Sequence, residues 1–172
     1  MKISIVTVCY NSEKYIKSAI DSVINQTYKN IEYIIIDGGS KDRTLDIVKS
    51  YGDKITKVVS EPDNGIYDAM NKGFKMATGD YLALINSDDF YIHNDAITNV
   101  VKILEEKKTD SVFADLIYVE ENDPDKQVRY WKSKPFVKSS FKKGWHPAHP
   151  TFIVKKEVYE KYGYFSLDFK LA

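Results

Sequence analysis

The chain has 172 residues, 43% of them hydrophobic, which is enough for one sizeable core and too little to expect a second independent domain. Lys and Arg number 25, as do Asp and Glu, so no overall field favours a nucleic acid partner. A lone Cys9 excludes an internal disulfide framework and fits a reducing compartment, no apolar run reaches the length of a membrane span, and residues 3–8 are too short and too alternating for a signal-peptide core. A cytoplasmic location is expected, with attachment to the inner face of a membrane left open.

Residues 3–8 alternate and are β-branched, which predicts a strand; Asn11 and Ser12 follow as helix-capping residues, and Ile16, Ala19, Ile20, Val23 and Ile24 recur at helical spacing. The unit then repeats. A second strand over 31–36 meets the turn Asp37-Gly38-Gly39-Ser40, with Ser40 as the expected N-cap, and Leu45, Ile47, Val48 and Tyr51 outline a helix ended by Gly52. A third strand over 55–59 passes through Pro62-Asp63-Asn64-Gly65 into a helix carrying Ile66, Met70, Phe74 and Ala77, which Thr78-Gly79-Asp80 breaks. The fourth strand, 81–85, ends in Asn86-Ser87-Asp88-Asp89, and His93-Asn94-Asp95 opens a helix whose apolar face holds Ala96, Ile97, Val100, Val101 and Leu104.

This alternation predicts an α/β fold, a mostly parallel sheet flanked by helices through right-handed crossovers, with ligands bound beyond the carboxyl ends of the strands. The turns after the first, second and fourth strands should therefore meet at one crevice. Beyond Thr109 the texture changes: 111–119 reads as one long strand, and 128–131 and 151–154 as shorter ones between polar loops, which predicts a mixed sheet and a loop-rich surface.

The densest chemistry lies in Asn86-Ser87-Asp88-Asp89, two adjacent carboxylates and an amide at the mouth of a buried strand, where charge is costly unless a cation shares the site. Oxygen ligands suit Mg2+ or Mn2+, whose open positions phosphate oxygens complete; an Asx turn that binds nothing is the other reading. Thr7-Val8-Cys9-Tyr10-Asn11 offers hydroxyl, ring and amide groups to a nucleobase, and Asp37 in its glycine turn offers an acceptor to an imide N–H such as that of uracil. Neither GxGxxG nor GxxxxGK[ST] occurs, which argues against dehydrogenase and P-loop chemistry. His146 and His149 lack the further ligands a zinc site requires. Between Asp125 and Glu157 there is no acid, while Lys132, Lys134, Lys138, Lys142 and Lys143 alternate with Tyr130, Trp131, Phe136, Phe141 and Trp145. That pattern suits a membrane interface or an anionic lipid-linked acceptor, or else a solvated loop whose rings pack inward.

Taken in order, Thr7-Val8-Cys9-Tyr10-Asn11, Ile36-Asp37-Gly38-Gly39-Ser40 with Asp42 and Thr44, residues 63–73, and Ala77-Thr78-Gly79-Asp80-Tyr81 leading to Asn86-Ser87-Asp88-Asp89 resemble glycosyltransferase family 2, inverting enzymes of the GT-A fold that use nucleotide-sugar donors. The resemblance spans nearly the whole chain. It implies a single GT-A domain over 1–172, with a nucleotide-sugar half over 1–109 and an incomplete acceptor half over 110–172. The implied reaction moves sugar from a UDP-sugar to a saccharide or lipid-linked acceptor in surface polysaccharide synthesis. The implied donor pocket is Thr7, Tyr10, Asn11, Glu13 and Asp37, with Asp68 and Lys72 on its flank. Asn86-Ser87-Asp88 takes the place of the family's Asp-x-Asp element; since Asn86 removes one charge, Asp88 and Asp89 are expected to hold Mn2+ or Mg2+, with Asn86 and Ser87 on the donor. His149 is expected to face the donor phosphates and His146 to pack in a loop. The stretch 165–172 resembles the lead-in to the acidic motif that supplies the general base; Asp168 falls too early for it, so the base is expected beyond Ala172 and the 172-residue chain is expected to transfer sugar poorly. A nucleotide-binding module without catalysis remains an alternative. So does a sugar nucleotidyltransferase, although Cys9-Tyr10-Asn11-Ser12-Glu13 lacks the basic, glycine-rich first loop that activity requires.

Overall fold

In a computed structural model that describes residues 1–169, the expected alternation of strand and helix is present through the first hundred residues. The elements there are β1 (Ile3–Cys9), α1 (Ile16–Ile24), β2 (Ile31–Asp37), α2 (Thr44–Lys49), β3 (Lys57–Ser60), α3 (Ile66–Met76), β4 (Tyr81–Asn86) and α4 (Ala96–Lys107). The second half adds β5 (Ser111–Val112), β6 (Leu116–Glu120), β7 (Asp123–Trp131), β8 (Ile153–Lys155) and α5 (Lys156–Tyr162). Six strands form one sheet in the order β3-β2-β1-β4-β8-β5; β1, β2, β3 and β4 are parallel, and β8 runs antiparallel to both of its neighbours.

All seven residues of β1 are buried, because the strand has a neighbour on each side and helices over both faces. Its side chains divide by alternation. Ile3, Ile5 and Cys9 join Tyr33, Ile35, Ala83 and Ile85 against α1, α2 and α4, whereas Val6 and Val8 join Ile34, Ile36, Leu82 and Leu84 against α3. Gly73 lets α3 press close: a Cβ there would lie 2.4 Å from Val6 Cγ1. At the amino end of the sheet a buried carboxylate, Glu32, accepts hydrogen bonds from Ser4 Oγ, from the Thr78 backbone N–H and hydroxyl, and from Lys2 Nζ. Burial alone would push this carboxyl up, but those donors outweigh it and hold the group at about 2.

Three expectations for the second half are corrected. The run over 111–119 is two strands, because the chain leaves the main sheet at Phe113-Ala114-Asp115, where Ala114 N donates to Thr151 Oγ1 and Asp115 accepts from Ser133 N and the Tyr130 hydroxyl. The strand expected over 128–131 begins at Asp123, since pairing with β6 in a two-stranded ribbon carries polar residues that a periodicity argument places in a loop. β8 begins at Ile153, because Thr151 closes a 3-10 turn, His149–Thr151. The last three residues of the stretch 165–172 lie outside the described residues.

Candidate active site

α1 and α2 cover one face of the sheet and α3 the other, so the chain reverses its direction of travel between the adjacent strands β1 and β4. In open α/β sheets that point is where ligands bind. The turns leaving β1, β2 and β4 meet there, as expected. Ser12 Oγ lies 2.8 Å from Ser87 Oγ, and the Ser12 N–H donates to Thr44 Oγ1 at 2.7 Å. Asn11 adopts a left-handed φ of 48°, from which its N–H reaches Ser40 Oγ at 2.8 Å and its Oδ1 accepts from Lys41 N at 2.8 Å. Glu13 N donates to Asp42 Oδ2 at 3.0 Å, and Glu13 Oε2 accepts from Arg43 N at 2.9 Å. Asn11 and Glu13 thus brace the β1 turn against the loop over 40–43 that leads into α2.

Neither serine caps a helix as expected. The Ser12 hydroxyl bonds Ser87 and the Tyr10 carbonyl, Ser40 bonds Asp37 and Asn11, and the N–H and hydroxyl of Thr44 are met by Asp42. Thr7 is also displaced from its expected place in the pocket. It is fully buried two residues inside β1, with Oγ1 3.0 Å from the Tyr33 hydroxyl.

Asp37 is corrected most strongly. Its side chain is fully buried, and its oxygens accept from Gly39 N and Ser40 N at 3.1 Å, Ser60 Oγ at 2.7 Å, Ser40 Oγ and Cys9 Sγ. With those lone pairs occupied by the protein, Asp37 holds the turn together and presents nothing to a base. Burial foremost, and then Asp37, push the Cys9 thiol up and keep it a protonated donor.

What remains open at the rim is the ring of Tyr10, 61% exposed, lying over Gly38 with Asp63 from the loop after β3 beside it. By sequence Asp63 belongs to the turn Pro62-Asp63-Asn64-Gly65; its approach to Gly38 is a contact across 25 residues that no local pattern encodes. On the flank, Asp68 accepts from Asn64 N at 3.0 Å, and Lys72 Nζ lies 3.0 Å from Glu61, 3.1 Å from the Pro62 carbonyl and 3.5 Å from Asp68.

At the mouth of β4, Asn86 Nδ2 donates to Asp89 Oδ2 at 3.0 Å, which leaves Asn86 Oδ1 buried without a hydrogen-bond partner among the described residues. Burial foremost, and the adjacent Asp88, push the Asp89 carboxyl up against the hydrogen bonds from Asn86. No cluster of three His, Cys, Asp or Glu side chains occurs among the described residues, so a closed protein cage is not what this site offers. Two neighbouring carboxylates and an orphaned amide oxygen do fit a hard divalent cation that leaves further positions to ligand oxygens.

His149 lines a hollow of about 250 Å3 with Phe74, Leu84, Phe152, Tyr159 and Phe165, and burial, then His146, pull its imidazole down toward the neutral form. His146 packs edge-on against Trp131 at 5.6 Å, the packing role expected of it. A hollow of about 290 Å3 between Val23, Gln26, Tyr28, Tyr33 and Lys54 shares no residue with the crevice. Asp168 is exposed, and among the described residues its carboxylate is paired with Ser166 alone.

Residues 4–163 match the profile of the family described as Glycosyl transferase family 2. The chain belongs to that family. Over 92 residues this family 2 chain is 45% identical to an uncharacterized glycosyltransferase of Rickettsia typhi, a match covering 54% of the chain and 29% of the relative. Over 118 residues it is 32% identical to a PGL/p-HBAD biosynthesis glycosyltransferase of Mycobacterium bovis, covering 66% of the chain and 46% of the relative. The matches thus span less than half the length of these curated relatives. Among solved structures, S. aureus TarS 1-349 in complex with UDP superposes with a TM-score of 0.76 at 24% identity, over 100% of this chain and 52% of that one. Mannosyltransferase PcManGT from Pyrobaculum calidifontis, in complex with GDP-Man and Mn2+, gives 0.73 at 20% identity, over 97% and 48%. These likenesses establish the GT-A fold of the family 2 chain.

Proposed function

We propose that the chain is the donor-binding part of a metal-dependent, inverting glycosyltransferase that moves a sugar from a nucleoside diphosphate, UDP in the first instance, to a saccharide or lipid-linked acceptor of surface polysaccharide synthesis at the cytoplasmic face of a membrane. One observation carries this reading: Asp88, Asp89 and the orphaned Asn86 Oδ1 stand at the crevice where the turns after β1, β2 and β4 meet. Family membership and the nucleotide ligands of the two solved neighbours support it.

Tyr10 offers its exposed ring for stacking a nucleobase, and Asn11 and Glu13 keep that ring in place by tying its turn to the loop that leads into α2. Asp88 and Asp89 would hold Mn2+ or Mg2+, which supplies positive charge against the negative charge that develops on the departing diphosphate. Ser87, bonded to Ser12, keeps the acidic turn close to the base site. His149, held toward its neutral form, is suited to accept or donate a hydrogen bond beside the donor without adding charge. An acceptor hydroxyl must lose its proton to a carboxylate on the far face of the sugar, and Asp168, already engaged by Ser166, is not assigned that role. For the acceptor side, Phe136 and Phe141 are each 57% exposed, 6.1 Å apart and set among lysines, which supports contact with an anionic membrane surface.

Titration calorimetry with UDP in the presence and absence of Mn2+ tests the donor site. Mn2+ should tighten UDP binding, and that gain should vanish in Asp88→Asn; equal binding with and without metal in the wild-type chain would overturn the reading. Slow release of sugar from the bound donor to water separates a transferase from a module that holds a nucleotide without catalysis.

A further inference from the structure

Resting on that nucleotide-sugar reading, a base pocket still needs a hydrogen-bond acceptor, and Asp37 cannot supply one because five protein donors already occupy it. The neighbouring position is Gly38. A Cβ built there would lie 2.5 Å from Asp63 Oδ2, 3.3 Å from the Asp63 carboxyl carbon and 3.4 Å from Tyr10 Cδ2. The carboxylate of Asp63 therefore fills the volume that a side chain at 38 would take, directly beside the exposed tyrosine ring. Asp63 Oδ1 is held by the Gly65 N–H at 2.9 Å, which fixes the group's orientation, while Oδ2 has no hydrogen-bond donor among the described residues. One face is thus a ring suited to stacking and one edge a free, oriented acceptor.

We propose that Asp63 is the base-selecting residue of the donor site, its Oδ2 accepting the ring N–H of a uracil stacked on Tyr10, and that Gly38 is glycine so that this carboxylate can be there. Uracil carries a hydrogen at ring position N3. Cytosine, a ring of the same size, presents a lone pair at that position, which a carboxylate repels. A charge-assisted bond at a partly desolvated rim discriminates between such rings by roughly tenfold or more.

The test compares UDP with CDP on the whole chain in saturating Mn2+, with circular dichroism of each variant as the folding control. Wild type should favour UDP by about tenfold. Asp63→Asn keeps an acceptor for the Gly65 N–H but turns an amide toward the ring, and should bring the two nucleotides within about threefold. Gly38→Ala should weaken UDP while leaving CDP almost unchanged, since its Cβ displaces the carboxylate. Moving the carboxylate back, in the double variant Gly38→Asp with Asp63→Ala, should restore the preference for UDP. An Asp63→Asn chain that keeps the wild-type preference overturns the assignment while leaving the donor site intact. A folded wild-type chain that binds neither nucleotide overturns the nucleotide-sugar reading and this inference with it.

Discussion

Ser12 Oγ lies 2.8 Å from Ser87 Oγ, which joins the turn after β1, where the base is proposed to stack, to the turn after β4, where the acidic residues stand. Ser12 is 7% exposed and also donates to the Tyr10 carbonyl, so one hydroxyl sets the spacing of both halves of the site. Ser87→Ala should cost about 1 kcal/mol of stability and Ser12→Ala somewhat more, because it also leaves the Tyr10 carbonyl unbonded. Urea denaturation of the two variants checks the order. Ser87→Ala proving the more damaging would show that the bridge is not the main function of Ser12.

Asp88→Asn and Asp89→Asn should each bind UDP weakly and with little response to Mn2+, at a loss of about 1 to 3 kcal/mol, the scale of a charge-assisted contact. Neither should lower the melting temperature without metal, since two neighbouring carboxylates repel. Calorimetry and thermal melts with and without Mn2+ read both effects. Full Mn2+ dependence in both variants would move the cation elsewhere.

Asp37→Ala should act on folding before it acts on binding. The substitution removes the buried acceptor of the part-buried Gly39 and Ser40 N–H groups and of the Ser60 hydroxyl, and each bond lost costs about 1 kcal/mol. The melting temperature should drop sharply. Unchanged stability with a lost preference for UDP would return Asp37 to the base pocket.

Glu32 gives the chain an acid limb. Its folded carboxyl is depressed from 4.5 to about 2, so the stabilisation is complete above the unfolded value and is lost as pH falls from about 4.5 toward 2. At neutral pH the linkage is worth about 3 kcal/mol. Glu32→Gln should be less stable than wild type by that order at pH 7, and the difference should shrink toward pH 2 in urea titrations at each pH. A difference independent of pH would mean that lost packing, not charge, is responsible.

Gly73→Ala should reverse the usual sign for a helix. In an exposed helix the change stabilises by about 1 kcal/mol, whereas here the added methyl would lie 2.4 Å from Val6 Cγ1 and push α3 off the sheet. Chemical denaturation gives the sign directly.

The order of the first eight elements was legible in the sequence, because helices and buried strands there carry their own periodicity: Ile16, Ala19, Ile20 and Val23 mark one face of α1, and Tyr33-Ile34-Ile35-Ile36 is an unbroken apolar run in β2. The acidic pair was legible for the same reason, Asp88 and Asp89 being consecutive at the end of a strand. Beyond Thr109 periodicity no longer decided the outcome. β7 extends through polar residues because β6 is there to pair with it, and the run over 111–119 breaks where Asp115 finds Ser133 and Tyr130. At the site, residue type said that Thr7 and Asp37 are polar and close a strand, but whether a polar group faces ligand or protein depends on which donors the rest of the chain brings to it. Tyr33 took the Thr7 hydroxyl, and the turn at 39–40 together with Ser60 and Cys9 took Asp37. The pairing of Gly38 with Asp63 lay furthest from view, since a missing side chain and the carboxylate that fills its space belong to different loops, and only the parallel packing of β2 on β3 makes them neighbours.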